Sequence, residues 1–429
     1  MFDRLFALET FGIKLGLENI SRLCAALGHP ERSFISLHVA GTNGKGSVTA
    51  MAHAGLVAAG LRAARFISPH LVDLTERFVI GADPVDAGLL DTVATDVLDC
   101  ADGLIRSGDL QVHPTFFEAT TAIAFELFRR AGVEAAVIEV GLGGRFDSTN
   151  VVPAAAGAIT SIALDHQELL GDSLAAIAFE KAGIIKPGMA VVTGALPPDA
   201  RTVIADVAGG LGARVIDALA GTRLDSTVHD GRATITVETP VDRYGPLTLA
   251  LRGDHQVGNA LVAMRLLECA RAAGLAIPRS AIERGVTDVD WPGRLELLDV
   301  GGGARVLLDA AHNEEGARAL ASYLERWHPE RPALVLGVMR DKDVSAIVES
   351  LLPVVSSVIT TAANSPRAVP AHELAARVTA AGAGHVESEP DPIAAVEQAL
   401  SMSQSVCVAG SIFLVGAVRG RLRRRAILR

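Results

Sequence analysis

The chain has 429 residues, of which 49% are hydrophobic and 21% are charged, and its formal net charge is −10. This length exceeds what one ordinary hydrophobic core holds, so we expect two globular domains. The acidic balance argues against a protein that binds nucleic acid, because such a protein needs a basic face for the phosphates. It does not exclude nucleotides, which need only a local positive site.

The sequence predicts neither a membrane span nor a signal peptide. No uncharged apolar run approaches the roughly 18 residues that a membrane span needs, and no basic segment precedes an apolar one at the N-terminus. The four cysteines form no CxxC pair, so we expect no disulfide framework and no zinc site. We therefore expect a reducing, cytoplasmic compartment and no membrane contact. We also expect a monomer.

Short apolar strands and helical patterns alternate over the first part of the chain, which predicts a parallel sheet with helices on both faces. The predicted strands lie at 36–40, 135–140 and 158–163, and the predicted helices at 17–28, 47–60, 85–107, 115–131 and 174–183. Residues 222–251 alternate between polar and apolar side chains, which predicts a small antiparallel sheet at the edge of this domain. A helix at 259–273 follows it.

A linker at 287–295 separates this domain from a second one. Beyond it, strand-like runs recur with helices between them, at 305–309, 333–338, 356–360 and 405–409. This pattern predicts a smaller, Rossmann-like α/β domain. We place the first domain at 1–290 and the second at 291–429.

A glycine-rich loop lies between the first predicted strand and the Ala-rich helix after it. It reads Gly41-Thr42-Asn43-Gly44-Lys45-Gly46-Ser47. Strand, glycine loop and helix form a phosphate cradle, in which backbone N–H groups and the positive end of the helix face the anion. Lys45 would neutralise the outer phosphates, and the Ser47 hydroxyl would hold Mg²⁺. The spacing departs from the common GxxxxGK[ST], because Gly46 separates Lys45 from Ser47.

Ionisable side chains follow the other two predicted strands of the first domain. Glu139 ends the second strand, where a P-loop protein places a further metal contact. Asp165 and His166 follow the third strand, and a neutral imidazole can ligate a metal. Lys181 lies near the end of a predicted helix, and the residues alone give it no role beyond that of a solvated charge.

Together these features resemble the folylpolyglutamate synthase/dihydrofolate synthase family, a branch of the Mur ligase superfamily. The matching motifs run in order along most of the chain: 12–20, the cradle, Ser68-Pro69-His70-Leu71, Thr75-Glu76-Arg77, Phe116-Phe117-Glu118, 139–145, Asp165-His166, 180–184, Gly293-Arg294, 309–313, 337–343 and Gly410-Ser411. The resemblance implies a P-loop domain of the Mur ligase central type and a C-terminal glutamate-ligase domain. It also implies ATP-dependent amide formation through an acyl phosphate, which the amine of L-glutamate attacks.

The same resemblance implies roles for particular residues. The ATP contacts would be the seven cradle residues with Asn259, Arg294 and Asp309 across the domain cleft. The contacts to two Mg²⁺ ions would be Ser47, Ser68, Glu139 and His166, and a monovalent cation such as K⁺ is a further candidate. Lys181 matches a lysine that the family carbamylates, and Lys45, His166 and His312 complete the catalytic set.

The resemblance further implies sites for dihydropteroate or a folate and for L-glutamate. The pterin-bearing substrate would contact Arg77, Phe117, Asp147 and Ser148, and glutamate would contact His312 and Ser411. Phenylalanine can stack on a flat ring, and aspartate can accept hydrogen bonds from the amino and ring N–H groups of a pterin. Core packing is the alternative for Phe117.

Several functions stay open at this point. Within the family, the sequence does not separate synthesis of dihydrofolate from glutamylation of folates, or from both together. A peptidoglycan Mur ligase has a further N-terminal domain, for which a cradle beginning at residue 41 leaves no room. The inserted Gly46 and the second α/β domain disfavour a P-loop switch protein. A module that only binds nucleotide is disfavoured by the joint presence of Lys45, Ser47, Glu139, His166 and Lys181.

Overall fold

The computed structural model describes residues 2–12, 14 and 16–427. Ile13 and Leu15, within the motif at 12–20, lie outside the described residues. The chain forms two compact units that interleave along the sequence. The first comprises Met1–Ser226, Ile235–Ala250 and Val257–Val289, and the second comprises Thr227–Thr234, Leu251–Gln256 and Asp290–Arg429.

The first unit is built on an eight-stranded sheet with the strand order β4-β3-β2-β5-β1-β6-β7-β8. Its strands are β1 Ile35–Ala40, β2 Ala63–Phe66, β3 Phe78–Ile80, β4 Asp83–Pro84, β5 Ala135–Glu139, β6 Ala156–Ile159, β7 Ala190–Thr193 and β8 Arg214–Asp217. Its helices are α1 Asp3–Phe6, α2 Glu18–Ala26, α3 Lys45–Ala58, α4 Ala87–Ser107, α5 Phe116–Arg130, α6 Gln167–Leu170, α7 Leu174–Ala182, α8 Pro198–Gly210, α9 His255–Ala272, which begins in a segment of the second unit, and α10 Arg279–Thr287. Short 3₁₀ helices lie at Ala7–Phe11, Pro30–Arg32, Leu74–Arg77 and Ser148–Val151.

Strand β1 lies at the centre of this sheet and is parallel to both of its neighbours, β5 and β6. Because Val39 lies opposite Glu139, and Ala40 lies opposite Ile159, the carboxyl ends of the three strands meet at one edge. This is the edge where parallel α/β sheets bind ligands. The fold predicted from the sequence is therefore confirmed, with β3 and β4 added as antiparallel edge strands.

Two local features of the first unit differ from or refine the predictions. Strand β6 ends at Ile159 rather than at residue 163, because Thr160 and Ser161 turn toward the cradle and bond to it. Helix α5 begins with a capping box, in which Thr115 and Glu118 satisfy each other's backbone N–H groups. This cap fixes the first turn of α5, which carries Phe117.

The predicted small sheet is observed as a three-stranded sheet of its own, with the order β11-β10-β9. Its strands are β9 Arg223–His229, β10 Arg232–Glu238 and β11 Arg243–Thr248. The turn between β9 and β10 is Asp230-Gly231, with both residues at positive φ, as a two-residue hairpin requires.

The second unit is built on a six-stranded sheet with the order β12-β13-β17-β14-β15-β16. Its strands are β12 Glu296–Gly301, β13 Ala304–Leu308, β14 Ala333–Leu336, β15 Ser357–Thr360, β16 Val386–Ser388 and β17 Ser405–Ala409. Its helices are α11 Glu314–Trp327, α12 Val344–Leu351, α13 Ala371–Ala380, α14 Pro392–Met402 and α15 Ile412–Ile427, with a 3₁₀ turn at Leu352–Val354. All neighbouring strands pair in parallel except β12 with β13. In the described part of the chain, no helix combines the length and the apolarity that a membrane crossing needs.

Candidate active site

The cradle loop follows β1 and leads into α3, as the sequence predicts. Gly44 has a φ of +83° at the N-terminus of the helix, and a Cβ placed there would lie 2.4 Å from Oδ1 of Asn259. Gly41 approaches Thr160 as closely, since its Cβ would lie 1.9 Å from Oγ1 of Thr160. Both positions therefore require glycine, and Asn259 of α9 lies directly against the loop.

The end of β6 holds the cradle in shape. The Thr42 N–H donates to the carbonyl oxygen of Ser161 at 2.9 Å, and the Asn43 N–H donates to Oγ of Ser161 at 3.0 Å. Oγ1 of Thr160 in turn donates to the carbonyl oxygen of Asn43 at 2.5 Å. The sequence analysis missed Thr160 and Ser161, whose only signal is their position after the third predicted strand.

Two lysines meet at the first residue of the cradle. Nζ of Lys45 donates to the carbonyl oxygens of Gly41 and Thr42, at 3.1 and 3.2 Å. Nζ of Lys181, on α7, donates to the same Gly41 oxygen at 2.8 Å. Burial lowers the pKa of Lys181 to about 7, and the positive charge of Lys45 lowers it in the same direction. A substantial fraction of Lys181 is therefore a neutral amine near pH 7.

The glycines of two predicted motifs explain how Lys181 reaches this position. A Cβ on Gly144 would lie 2.8 Å from the carbonyl oxygen of Glu180 and 2.9 Å from that of Lys181. A Cβ on Gly183 would lie 2.3 Å from Cβ of Arg145. The loop after β5 and the end of α7 are thus in backbone contact, which only glycine permits at these two positions.

Glu139 ends β5 and is buried. Its Oε2 accepts from the backbone N–H of Ser68 at 3.3 Å, so the loop after β2 lies beside it. Oγ of Ser68 is buried without a hydrogen-bond partner. A buried hydroxyl beside a carboxylate gives oxygen donors of the kind that Mg²⁺ binds, so these residues fit the metal predicted from the sequence.

His166 lies beside Asp165 at the start of α6, with a φ of +51°. The negative charge of Asp165 partly opposes the lowering of the Lys181 pKa by burial and by Lys45, which links this turn to the cradle lysines. Within the described residues, no three His, Cys, Asp or Glu side chains form a ready-made metal site. A cation here would therefore depend on hydroxyl and phosphate oxygens in addition to Glu139 and His166.

Arg77 is the last residue of the 3₁₀ helix that precedes β3, and Phe117 lies in the first turn of α5. Nε of the buried Arg77 donates to Nδ1 of His70 at 2.9 Å, and burial lowers the pKa of Arg77 to about 10, against the opposing charges of Glu9 and Glu139. The ring of Phe117 lies 6.0 Å from that of Phe66 and fills the space a Cβ on Gly141 would take.

Asp147 and Ser148 are buried in the loop that follows β5. Oδ2 of Asp147 accepts from the Leu142 N–H at 2.9 Å, and its Oδ1 accepts from the N–H and the hydroxyl of Thr149, at 3.0 and 2.5 Å. Burial raises the pKa of Asp147, and these hydrogen bonds oppose the rise. The carboxylate thus holds its own loop together, and its contact with a pterin stays a prediction.

Arg294 and Asp309 belong to the second unit. The buried carboxylate of Asp309 accepts from the N–H groups of Leu295 and Ala311, both at 2.9 Å. Burial raises the pKa of Asp309, while the charge of Arg294 lowers it. His255, which the sequence analysis missed, interacts electrostatically with both. Its only signal was its place four residues before Asn259.

His312 and Ser411 lie on neighbouring loops of the second unit. The Gly410 N–H donates to the carbonyl oxygen of Ala311 at 2.9 Å, which joins the loop after β17 to the loop after β13. Nδ1 of His312 lies 2.8 Å from the carbonyl oxygen of Ala310, so Nδ1 carries the proton because a carbonyl can only accept. Oγ of Ser411 accepts from the Phe413 N–H at 3.2 Å.

The structure thus forms two residue sets, one in each unit. In the first, the cradle contacts Asn259 and Lys181, and Glu139, hydrogen-bonded to Ser68, ends the strand next to β1. The second joins Arg294 with Asp309 and His312 with Ser411 through their loops. The roles assigned to these residues from the sequence stay predictions. A phosphate cradle with a strand-end acid and paired lysines defines a nucleotide-using enzyme.

The comparisons with known proteins identify its class. Residues 293–412 match the model of the Mur ligase, glutamate ligase domain. The dihydrofolate synthase/folylpolyglutamate synthase of Bacillus subtilis is 33% identical over 427 residues, which cover 96% of each chain. A structure of Mycobacterium tuberculosis folylpolyglutamate synthase complexed with ADP and AMPPCP has a TM-score of 0.90 and 33% identity, with 95% of each chain covered.

A further structure, of a bifunctional folylpolyglutamate synthase/dihydrofolate synthase with Mn, AMPPNP and L-glutamate bound, has a TM-score of 0.84 and 29% identity, with 98% of this chain and 97% of that chain covered. The protein is an ATP-dependent ligase. The chain belongs to the folylpolyglutamate synthase/dihydrofolate synthase family.

Proposed function

We propose that this ligase joins L-glutamate to dihydropteroate, forming dihydrofolate, and to the glutamyl tail of reduced folates. The relatives named for both activities support both substrates. The observation that carries the proposal is the meeting, at one edge of one sheet, of the phosphate cradle, Glu139 and the buried Lys181. This arrangement suits a reaction between ATP and a second anion.

The reaction must bring a carboxylate and a triphosphate together, although both are negatively charged. A carboxylate oxygen attacks the γ-phosphorus, ADP leaves, and an acyl phosphate forms. The glutamate amine then attacks the acyl carbon, phosphate leaves with the electron pair, and the amine nitrogen releases a proton. Lys45 and the positive end of α3 reduce the repulsion in the first step, so the protein contributes mainly charge stabilisation and positioning.

Ser47, Ser68, Glu139 and His166 would hold two Mg²⁺ ions. When bound, Mg²⁺ neutralises phosphate oxygens and orients the γ-phosphate for displacement. The unpartnered hydroxyl of Ser68 beside Glu139 supports this assignment. We include a monovalent cation such as K⁺ as a further candidate cofactor.

Lys181 is proposed as a carbamylated residue. The ammonium group would first lose one proton, and the neutral amine would then form an N–C bond with CO₂, one C–O π bond would break, and a second proton would leave. The cation would thereby become a carbamate anion that suits the second metal. The lowered pKa of Lys181 supports this step, because only the neutral amine is nucleophilic. Charge reversal would also replace the repulsion between Lys181 and Lys45 by attraction.

The remaining assignments follow the resemblance. ATP would further contact Asn259, Arg294 and Asp309; the pterin-bearing substrate would contact Arg77, Phe117, Asp147 and Ser148; L-glutamate would contact His312 and Ser411. We assign ATP binding to residues 1–290 and the glutamate-ligase role to residues 291–429, and we propose a cytoplasmic monomer.

The test is L-glutamate-dependent phosphate release from Mg-ATP, with dihydropteroate and a reduced monoglutamyl folate supplied in separate assays. Turnover with both substrates supports the bifunctional assignment, and turnover with one restricts the chain to that step. Hydrolysis that needs neither glutamate nor a folate would overturn the proposal in favour of a nucleotide switch.

A further inference from the structure

The strongest unassigned feature is a buried polar network around Asn150, on the 3₁₀ turn Ser148–Val151. Nδ2 of Asn150 donates to the carbonyl oxygens of Arg145, at 3.0 Å, and Gly183, at 2.9 Å. One side-chain amide therefore ties the loop after β5 to the residue just beyond α7. These are the two segments that meet in backbone contact at Gly144 and Gly183.

Lys186 fixes the orientation of this amide. Its Nζ donates to the backbone oxygen of Asn150 at 2.8 Å and to Oδ1 at 2.7 Å. Because an ammonium can only donate and a carbonyl can only accept, the amide of Asn150 has one possible orientation. Both contacts of Lys186 are to uncharged oxygens, and burial lowers the pKa of Lys186 to about 8. Such a site holds an ammonium group at a cost in solvation.

The network acts on the segment that carries Lys181. The Arg145 N–H donates to the carbonyl oxygen of Glu180 at 2.8 Å, so the residue before Lys181 is held from one side. Asn150 holds Gly183, two residues after Lys181, from the other. Nζ of Lys181 reaches the Gly41 oxygen from a backbone that is clamped at both ends.

We propose that Asn150 and Lys186 are positioning residues that clamp the Gly144–Arg145 turn onto the end of α7 and so hold Lys181 at the cradle. One part of this inference rests on the proposed function, namely the expectation that a displaced Lys181 would weaken the use of Mg²⁺. The clamp itself is a property of the fold and can be measured without turnover.

The main variant is Asn150→Asp, because it keeps both oxygen acceptors for Lys186 and replaces the two amide donors with a carboxylate oxygen that repels the carbonyl oxygens of Arg145 and Gly183. Lys186→Met removes the other half of the network, and Asn150→Ser is a second, smaller change should the first prevent folding. The matched control is Glu180→Ala, which removes the partly buried ion pair between Arg145 and Glu180, 2.6 Å long, at the same junction but leaves the backbone contacts.

The first readout is hydrogen–deuterium exchange of the Arg145 amide, which bonds to Glu180. We expect exchange at least 10-fold faster in Asn150→Asp and Lys186→Met, and within 3-fold of the wild type in Glu180→Ala. The second readout is the Mg²⁺ concentration that gives half-maximal turnover, which we expect to rise at least 5-fold in the first two variants while turnover recovers at high Mg²⁺.

Wild-type exchange at Arg145 in Asn150→Asp would overturn the clamp. Faster exchange with an unchanged Mg²⁺ requirement would overturn the link to Lys181. A wild-type protein without glutamate-dependent turnover would instead contradict the proposed function, and the exchange experiment would still test the clamp.

Discussion

Lys45 and Lys181 donate hydrogen bonds to one acceptor, the carbonyl oxygen of Gly41, at 3.1 and 2.8 Å. Two ammonium groups on one carbonyl repel each other, and this repulsion adds to the burial that lowers the pKa of Lys181 to about 7. The cradle thus contains one lysine poised as a cation for phosphate and one that is partly neutral.

This pKa makes stability depend on pH in a definite direction. Between about 7 and the ordinary value of 10.5, the unfolded chain holds a proton on Lys181 that the folded chain lacks, so the free energy of unfolding rises with pH. Below pH 7 both states are protonated, and the full cost of the buried charge applies. We therefore expect Lys181→Met to be more stable than the wild type by roughly 1–4 kcal/mol at pH 6.

The advantage of Lys181→Met should shrink steadily as the pH rises toward 10, and the variant should lack ligase activity. Urea unfolding of both proteins at pH 6, 7.5 and 9 measures this. An advantage that stays constant over that range would mean that Lys181 titrates normally in the folded protein.

Gly44→Ala tests the steric demand of the cradle. The new Cβ would lie 2.4 Å from Oδ1 of Asn259, on a backbone with a φ of +83°, so we expect loss of Mg-ATP binding and destabilisation by about 2–4 kcal/mol. Gly60→Ala is the matched control, because Gly60 has a φ of +81° and no atom within 4 Å of the added Cβ. It should cost only about 1 kcal/mol and leave nucleotide binding unchanged.

Thermal unfolding with and without Mg-AMPPNP separates the two effects in these variants. If Gly60→Ala loses the nucleotide-induced rise in unfolding temperature to the same extent as Gly44→Ala, the contact with Asn259 is not what the cradle requires.

Ser68→Ala tests the metal assignment. The Ser68 hydroxyl is buried without a partner, so its removal should leave stability within about 1 kcal/mol while the Mg²⁺ concentration for half-maximal turnover rises at least 5-fold. Ser36→Ala is the matched control, since Oγ of Ser36 is also buried without a partner but lies in β1, four residues before the strand's last residue. An equal effect of both changes on the Mg²⁺ requirement would contradict a metal contact at Ser68.

The sequence predicted the parts of this site that depend on local patterns. Strand, glycine loop and helix form the cradle as expected, and Glu139 ends a parallel strand beside it. A strand-end position follows from apolar periodicity, and the glycine spacing follows from phosphate geometry, so both are readable without coordinates.

The contacts that position these groups were not readable in the same way. Thr160 bonds the cradle from a residue 117 positions away in the chain, and Asn150 bonds to Gly183 across 33 positions. Such pairs leave no periodic signal, because a single polar side chain in a loop has many alternative partners. For the same reason, the sequence pattern around Lys181 predicted only a solvated charge, whereas Lys181 is buried in the structure.

Arg294→Ala tests the nucleotide contact proposed for the second unit. Removing this cation takes away the charge that opposes the raised pKa of the buried Asp309, so the pKa of Asp309 should rise further. We expect the KM for ATP to increase at least 10-fold without loss of the folded state, and more strongly at lower pH. Arg305→Ala, at an exposed position of β13, is the control. Unchanged ATP kinetics in Arg294→Ala would contradict the proposed nucleotide contact.

Asp147→Asn separates a brace from a substrate contact. Both oxygens of Asp147 accept hydrogen bonds within its own loop, and an asparagine keeps only one acceptor, so one buried donor group would lose its partner. We expect destabilisation by about 1–3 kcal/mol and, if the carboxylate also contacts the pterin, a KM for dihydropteroate at least 10-fold higher.

Thr149→Ser is the control for Asp147→Asn, because it keeps the hydroxyl that donates to Asp147 and lies 2.8 Å from Nε2 of His38. It should match the wild type in both stability and KM. Chemical unfolding together with dihydropteroate kinetics measures the two effects separately. A destabilised Asp147→Asn with an unchanged KM would restrict Asp147 to holding the loop, and the pterin contact would then have to come from another residue of the first unit.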